Sequence, residues 1–441
     1  MLKKHKIILV LISIIFIISI FYINIEKVDL IFLSKRIIAL YTEDPIDIET
    51  GIINNSYFGI SSDGENAKST TNGINKAIEY ASKNNIEFIK LEKGTYLIEG
   101  TYKKQKDENT GIILKSNITL DFNSSIIKQI DNDFEHYATL SLYGIENVKI
   151  LNGILIGDRE NHDYSSEKSH QWGMGIRLNG VNNIEIENFE IKNMTGDGIY
   201  VTRLDEDTTS NVKIKNCNIH NCRRQGISVI CAKNIEIYNN EIHDIGGTNP
   251  QAGIDLETNY DNELVENIKI YENIFYNLGA NYAIQCYKNV GNVEIFQNQI
   301  INGRIRINDA KSEIKIYNNN LKDGEIMSYL TQTNIDNGHS IKKISIYDNI
   351  LERYNISIKR TNNVIIENNN ITDGSVTIIS SNAKVYDNNL IATGTMHFAY
   401  YFTIYNDDES EYVIYADFKE KKGNFEKIKL VRETEKLIIR T

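Results

Sequence analysis

At 441 residues the chain is too long for one ordinary globular core, which leaves two domains or one extended solenoid. Its 41% hydrophobic content is too high for disorder, and four cysteines are too few for a disulfide scaffold. Forty-eight basic against 59 acidic residues give a net charge of −11 with no concentrated basic face. That balance excludes a generic nucleic-acid binder, because phosphate neutralisation needs clustered Lys and Arg.

The first six residues, MLKKHK, are basic, and residues 7–23 are apolar without a charge, near the lower limit of roughly 17–20 residues for crossing a bilayer. No small-x-small cleavage site follows; the next residues are Asn24, Ile25, Glu26 and Lys27. Residues 1–25 are therefore expected to be an uncleaved transmembrane signal anchor, with a cleaved signal peptide as the alternative. The basic end would be cytoplasmic, making the protein single-pass in the cell membrane with its domain extracellular. Residues 26–52 would form a stem. A helix is predicted over residues 70–85, where Ile74, Ala77, Ile78 and Ala81 recur at helical spacing. Thr70 or Thr71 would be its N-cap and Asn84-Asn85 its end. Residues 86–99 read as two short strands around Lys93-Gly94.

From about residue 146 one phrase recurs: apolar-x-apolar-x-Asn-x-x-Ile, a turn and another short strand. It reads NVKILNGIL at 147–155, NIEIENFEI at 183–191, NVKIKNCNI at 211–219, NIEIYNNEI at 234–242, NIKIYENIF at 267–275 and NVEIFQNQI at 292–300. Later copies are EIKIYNNNL at 313–321, KISIYDNIL at 343–351, NVIIENNNI at 363–371 and NAKVYDNNL at 382–390. Units this short cannot fold singly and must stack. A parallel β-helix meets the need. Each coil pairs with the next at about 4.8 Å, inward Ile and Val form a dry core, and Asn side chains align along a turn. With only 2 prolines, nearly every backbone N–H is free for pairing between coils. Strict apolar alternation argues against an Asn-rich low-complexity tract. The predicted fold is all-β, a single-stranded parallel β-helix over residues 53–392 with an N-terminal capping helix. Residues 393–441 alternate again and are expected to close the last coil as an antiparallel hairpin cap.

The opening DGENAKSTTNGINKAIEYA and FIKLEKGTYLI, with the repeats behind it, resembles the pectate-lyase-like superfamily of right-handed parallel β-helices over roughly residues 55–392. That superfamily includes polysaccharide lyases, polygalacturonases, uronate epimerases and phage appendage proteins. The resemblance implies a polysaccharide partner bound on the face of the third strand of each coil, and it does not select the activity. The polygalacturonase set NTD, DD, GHG and RIK is absent as a set, and so is the DPHE phrase of alginate epimerases.

The third strands read GIRLN at 175–179, GIYVT at 198–202, GISVI at 226–230, GIDLE at 253–257, AIQCY at 283–287 and RIRIN at 304–308. Alternation turns Leu178, Val201, Val229, Leu256, Cys286 and Ile307 inward. One outward row is then Arg177, Tyr200, Ser228, Asp255, Gln285 and Arg306, and a second contains Glu257 and Tyr287. Asp255 and Glu257 are two apart on one strand face, about 6.5–7 Å between Cα atoms. Exposed acids so placed repel unless they serve as general acid and base or hold a cation. The expected catalytic set is Asp255, Glu257, Asp197, Arg224 and His170, although Asp197 also reads as a turn residue before Gly198.

Substrate contacts are expected from Arg177, Tyr200, Arg223, Gln225, Gln285 and Tyr287 of the coils. The insertion at 157–173 adds Trp172, His162 and Arg159 as a lid. A metal set of His162, Asp163 and His170 matches no tight ligand spacing, so no metal site and no cofactor are expected; Ca2+ has no motif behind it. The cysteines read as buried free thiols, and His220 and His243 as stacked turn residues. Two functions compete: a membrane-anchored lyase, glycoside hydrolase or epimerase acting on an extracellular or envelope polysaccharide, and a non-catalytic glycan-binding or adhesive solenoid; a third, a phage-derived appendage fragment, is disfavoured by the N-terminal anchor. No nucleic-acid partner is expected.

Overall fold

Ile and Val at every second position, ended by turn residues that tolerate left-handed backbone, give strands too short to bury an apolar face alone. In the computed structural model they stack in parallel, coil upon coil. The structure describes residues 44–391 other than 102, 106, 107, 331–334, 337, 339 and 362, together with the strand segments Phe402–Tyr405, Tyr412–Lys422, Lys429–Val431 and Leu437–Arg440. One column of the core runs Ile150, Ile186, Ile214, Ile237, Ile270, Ile295, Ile316, Ile346 and Ile366, each in register with the next. All nine are fully buried, and each contributes about 1.5–3 kcal/mol of apolar burial.

The turns explain the abundance of Asn. Asn239, Asn318 and Asn368 take φ of 53°, 54° and 54°, a left-handed conformation that Asn accepts more readily than most residues. The following residues, Asn240, Asn273, Asn298, Asn319, Asn349, Asn369 and Asn388, form a buried ladder. Asn298 Nδ2 donates to Asn319 Oδ1 at 3.0 Å and to the carbonyls of Ile270 and Phe296 at 2.9 and 3.0 Å. Every amide in the run has partners of this kind, which is what permits polar groups inside the stack.

The capping helix is Ala67–Lys83, with Ile74, Ala77, Ile78 and Ala81 fully buried as its periodicity predicts. It begins three residues earlier than expected, with Asn66 as N-cap and Asn84 as C-cap. Thr70 and Thr71 are not caps: Thr71 Oγ1 donates to the Ala67 carbonyl at 2.7 Å, and Thr70 Oγ1 accepts from Ser61 N at 3.1 Å. Both threonines lie buried between helix and first coil, a use of Thr that local pattern does not distinguish from capping. The end of the expected stem also joins the body. Ile46 is buried and bridges Ile53, while Ile52 bridges Lys90.

The C-terminal strands correct the hairpin expectation. Phe402–Tyr405 pairs in parallel with Val376–Ile379, Tyr412–Lys422 with Ala383–Ile391, and Leu437–Arg440 with Tyr412–Lys422. Alternation specifies which face is buried, not whether the chain turns back or continues round. Among the described residues no helix is long and apolar enough to cross a membrane, and the expected anchor over residues 7–23 lies outside them.

Candidate functional site

The third strands His136–Tyr143, Trp172–Asn179, Ile199–Thr202, Ile227–Val229, Ala252–Glu257, Tyr282–Tyr287 and Arg304–Ile307 form the expected column. Register aligns Arg177, Tyr200, Ser228, Asp255, Gln285 and Arg306 in one row, and Glu257 with Tyr287 in the next. Leu178, Val201, Val229, Leu256, Cys286 and Ile307 point into the core. Pointing outward does not mean reaching solvent. Arg177, Tyr200, Ser228, Asp255 and Gln285 are all buried, and Trp172 and Arg224 lie across the Tyr200 end of the row. Trp172 meets the Tyr200 ring edge-on at 6.4 Å, and the Arg224 guanidinium stacks 4.8 Å over the indole.

Beneath that cover the side chains form one connected polar chain. Arg224 Nη1 donates to Asp197 Oδ2 at 2.8 Å and to Gln225 Oε1 at 2.7 Å. Gln225 Nε2 donates in turn to Asp255 Oδ2. The other Asp255 oxygen accepts Gln285 Nε2 at 3.0 Å, and Gln285 Oε1 accepts Arg306 Nη1 at 3.4 Å. Ser228 Oγ donates to Asp197 Oδ2 at 2.7 Å. Burial, and then the Glu257 carboxylate, push the Asp255 carboxyl up to about 8, against the pull of Arg224 and the two amides. Asp197 is also raised by burial, with Arg224 and Ser228 opposing. Among the described residues, Asp197 Oδ1 and Arg224 Nε are buried without a hydrogen-bond partner, an unusual cost in a stacked core.

Half-buried Glu257, Tyr287, Trp172 and Arg306 form the rim above this chain. Arg306 lies 5.2 Å over the Tyr282 ring and donates from Nε to Asn308 Oδ1 at 2.8 Å. The expectation of an exposed carboxylate pair is thus corrected: Glu257 reaches the rim, whereas Asp255 lies under it. Arg177, Tyr200, Gln225 and Gln285, expected to touch substrate, are part of the buried floor. Tyr282 was not anticipated, because it stands one residue before the repeated phrase.

The lid residues are engaged by the protein. Arg159 donates to the carbonyls of Asn221 and Gly246 at 2.8 and 2.6 Å. Arg223 donates to the His170 carbonyl at 2.7 Å and stacks 4.8 Å over Tyr164. His162 and His170 are buried and bond each other rather than facing Asp255. Asp163 turns away to the backbone of Ser165, and among the described residues no group of three His, Cys, Asp or Glu could hold a metal. The four cysteines are buried free thiols, and His220 stacks on His243 at 4.8 Å.

Surface concavities of about 490 and 400 Å³ lie instead on the first-strand face, lined by residues such as Asn211, Lys213, Asn267 and Lys269. Their charges pair with one another, as in Lys149–Glu185 at 3.1 Å and Lys213–Glu236 at 3.7 Å. Shape favours that face, but raised carboxyls and unpartnered buried groups favour the other. The third-strand face is therefore the candidate, because perturbed acids are enriched where acid–base chemistry is done and exposed ion pairs are not.

A family profile for the right handed beta helix region matches residues 145–321. Two Bacillus subtilis (strain 168) proteins are similar. Uncharacterized protein YclG is 32% identical over 222 residues, 47% of this chain and 38% of that one. The SPbeta prophage-derived uncharacterized protein YorA is 31% identical over 218 residues, 45% of this chain and 37% of that one. The chain therefore spans less than two fifths of the curated relatives it matches. Among solved structures, the A-module of mannuronan C-5 epimerase AlgE4 from Azotobacter vinelandii covers 87% of this chain and 99% of its own, with a TM-score of 0.54 and 14% identity. Likeness at that identity concerns architecture alone, and the architecture is a right-handed parallel β-helix.

Proposed function

We propose that the protein is a cell-surface carbohydrate-active enzyme, a lyase or glycoside hydrolase, acting on an extracellular or envelope polysaccharide along the rim above Asp255. The carrying observation is the buried chain Arg224–Gln225–Asp255–Gln285 and its link to Arg306 at the rim. Elsewhere the coils stack largely through buried Ile and Asn. A buried carboxyl raised to about 8 and tied to two arginines adds nothing to stacking, and such groups cluster where acid–base chemistry is done.

In this reading Asp255 keeps its proton at neutral pH while Glu257 reaches the rim. Two carboxyls in different environments are what general acid and base roles require. Trp172, Tyr282 and Tyr287 offer ring faces and edges to sugars, and Arg306 suits the carboxylate of an acidic sugar. A uronate polymer gains support from the mannuronan C-5 epimerase of similar fold. The basic start and apolar residues 7–23 support a membrane-anchored domain outside the cell.

The test incubates the full chain with acidic and neutral glycans, reading absorbance at about 235 nm, where elimination products absorb, together with reducing ends. Absorbance with new reducing ends means elimination, and reducing ends alone mean hydrolysis. Binding with neither signal, unaltered by Asp255→Asn, would make the protein an adhesive solenoid and overturn the reading.

A further inference from the structure

The insertion between Ile156 and Trp172 holds a second cluster that the groove chemistry does not use. Ser166 is exposed, while the imidazoles beneath it are buried, His170 at 1% exposure. Ser166 Oγ lies 2.5 Å from His170 Nε2. His170 Nδ1 lies 2.9 Å from His162 Nε2, and His162 Nδ1 lies 2.9 Å from Asp158 Oδ2.

With both imidazoles neutral, hydrogen-bond inventory sets the protons along this line. The Asp158 oxygens already accept from Tyr137 OH, from Thr195 Oγ1 at 2.9 Å and from Asn132 Nδ2 at 2.8 Å. His162 Nδ1 is then a donor to Asp158, and its Nε2 an acceptor filled by His170 Nδ1–H. That leaves a lone pair on His170 Nε2, to which the Ser166 hydroxyl donates. A hydroxyl on a base, with the base held by a third group, is the arrangement that activates a serine nucleophile. Here the third group is an imidazole backed by a carboxylate. His170 adopts a left-handed backbone (φ 46°), and Arg223 donates to its carbonyl.

The geometry points to a second activity: Ser166 is an acyl-transfer nucleophile with His170 as its base, removing O-acyl groups from sugar hydroxyls. His162 and Asp158 are positioning residues. The ester class follows from the serine–imidazole pair, and the sugar that carries it rests on the groove reading above, since the loop ends in Trp172 at the rim. Ser166 Oγ bonds to the ester carbonyl carbon as its proton moves to His170 Nε2. The bond from that carbon to the sugar oxygen breaks, and the same proton passes to the leaving oxygen. Water then attacks acyl-Ser166, giving one proton to His170, which returns it to Ser166 Oγ as the carboxylic acid departs.

The test treats the full chain with p-nitrophenyl acetate and, separately, a fluorophosphonate probe. The probe is expected on the peptide containing Ser166. Ser166→Ala and His170→Gln are each expected to lower nitrophenol release by at least about 100-fold. Ser166 is exposed, so an unchanged melting curve for Ser166→Ala separates chemistry from folding. His162→Gln is expected to displace the acidic limb of the kcat/KM pH profile, in a setting where Asp158, Asp163, Glu135, Lys168 and Arg223 are the charged groups around the pair. An unmoved limb removes the positioning role. No label, with equal nitrophenol release from wild type and Ser166→Ala, makes the cluster a loop staple only and overturns the inference. Glycan cleavage surviving in that outcome leaves the groove reading intact. Labelling and esterase activity without any action on glycans does the reverse.

Discussion

Gln285 donates its amide N–H to Asp255 Oδ1 at 3.0 Å while its carbonyl oxygen accepts from Arg306. One side chain thus links a carboxyl buried beneath the rim to a guanidinium at its surface. Gln225 does the same toward Arg224 from the coil before. The buried acid is therefore linked to an arginine on each side without touching solvent.

Asp255→Asn keeps the shape and removes the proton-exchanging group. Glycan turnover is expected to fall by about 100-fold or more, with the circular-dichroism spectrum unchanged. Wild-type turnover in the variant would dissociate Asp255 from the chemistry.

The pH dependence of stability has a definite sign. Asp255 is raised from 3.8 to about 8 in the folded protein, so between those values the folded state binds more protons than the unfolded chain. Stability falls as pH rises through that window, and Asp197, raised by the same burial, acts in the same direction. The wild type is expected to lose roughly 5 °C of melting temperature between pH 5 and 8. A flatter profile in Asp255→Asn, followed by thermal denaturation, checks it.

Asn298→Ala is expected to cost about 2–3 kcal/mol in denaturant titration, because Asn273 loses its acceptor and Asn319 its donor inside the stack. Asn234→Ala, on an exposed ladder, is expected to stay within about 0.5 kcal/mol. Equal costs at the two positions would remove the burial argument.

Arg159→Ala frees the carbonyls of Asn221 and Gly246 and unlatches the insertion. The expected loss is about 1–2 kcal/mol, with proteolytic cleavage appearing first within residues 157–172. Cleavage elsewhere would mean that the insertion is held by other contacts.

Several features were legible because they are periodic. Ile74, Ala77, Ile78 and Ala81 announce their helix, and His220 and His243 occupy equivalent positions and do stack. The Asp158–His162–His170–Ser166 line was only half legible. Two pairs spaced by four residues lie in one loop, but Tyr137 and Thr195, which hold Asp158, come from other coils. Nothing in the loop points to them.

Sequence by itself determined the stacked coils and the row each strand residue occupies, since alternation and turn chemistry act over a few neighbouring residues. It placed Asp255 and Gln285 in one outward row correctly. Only the tertiary structure decided that this row is roofed by Trp172 and Arg224, that Glu257 rather than Asp255 reaches the rim, and that the last strands run parallel instead of turning back. Strand pitch gives a side chain its direction, but solvent access depends on segments far away in the chain that fold across it.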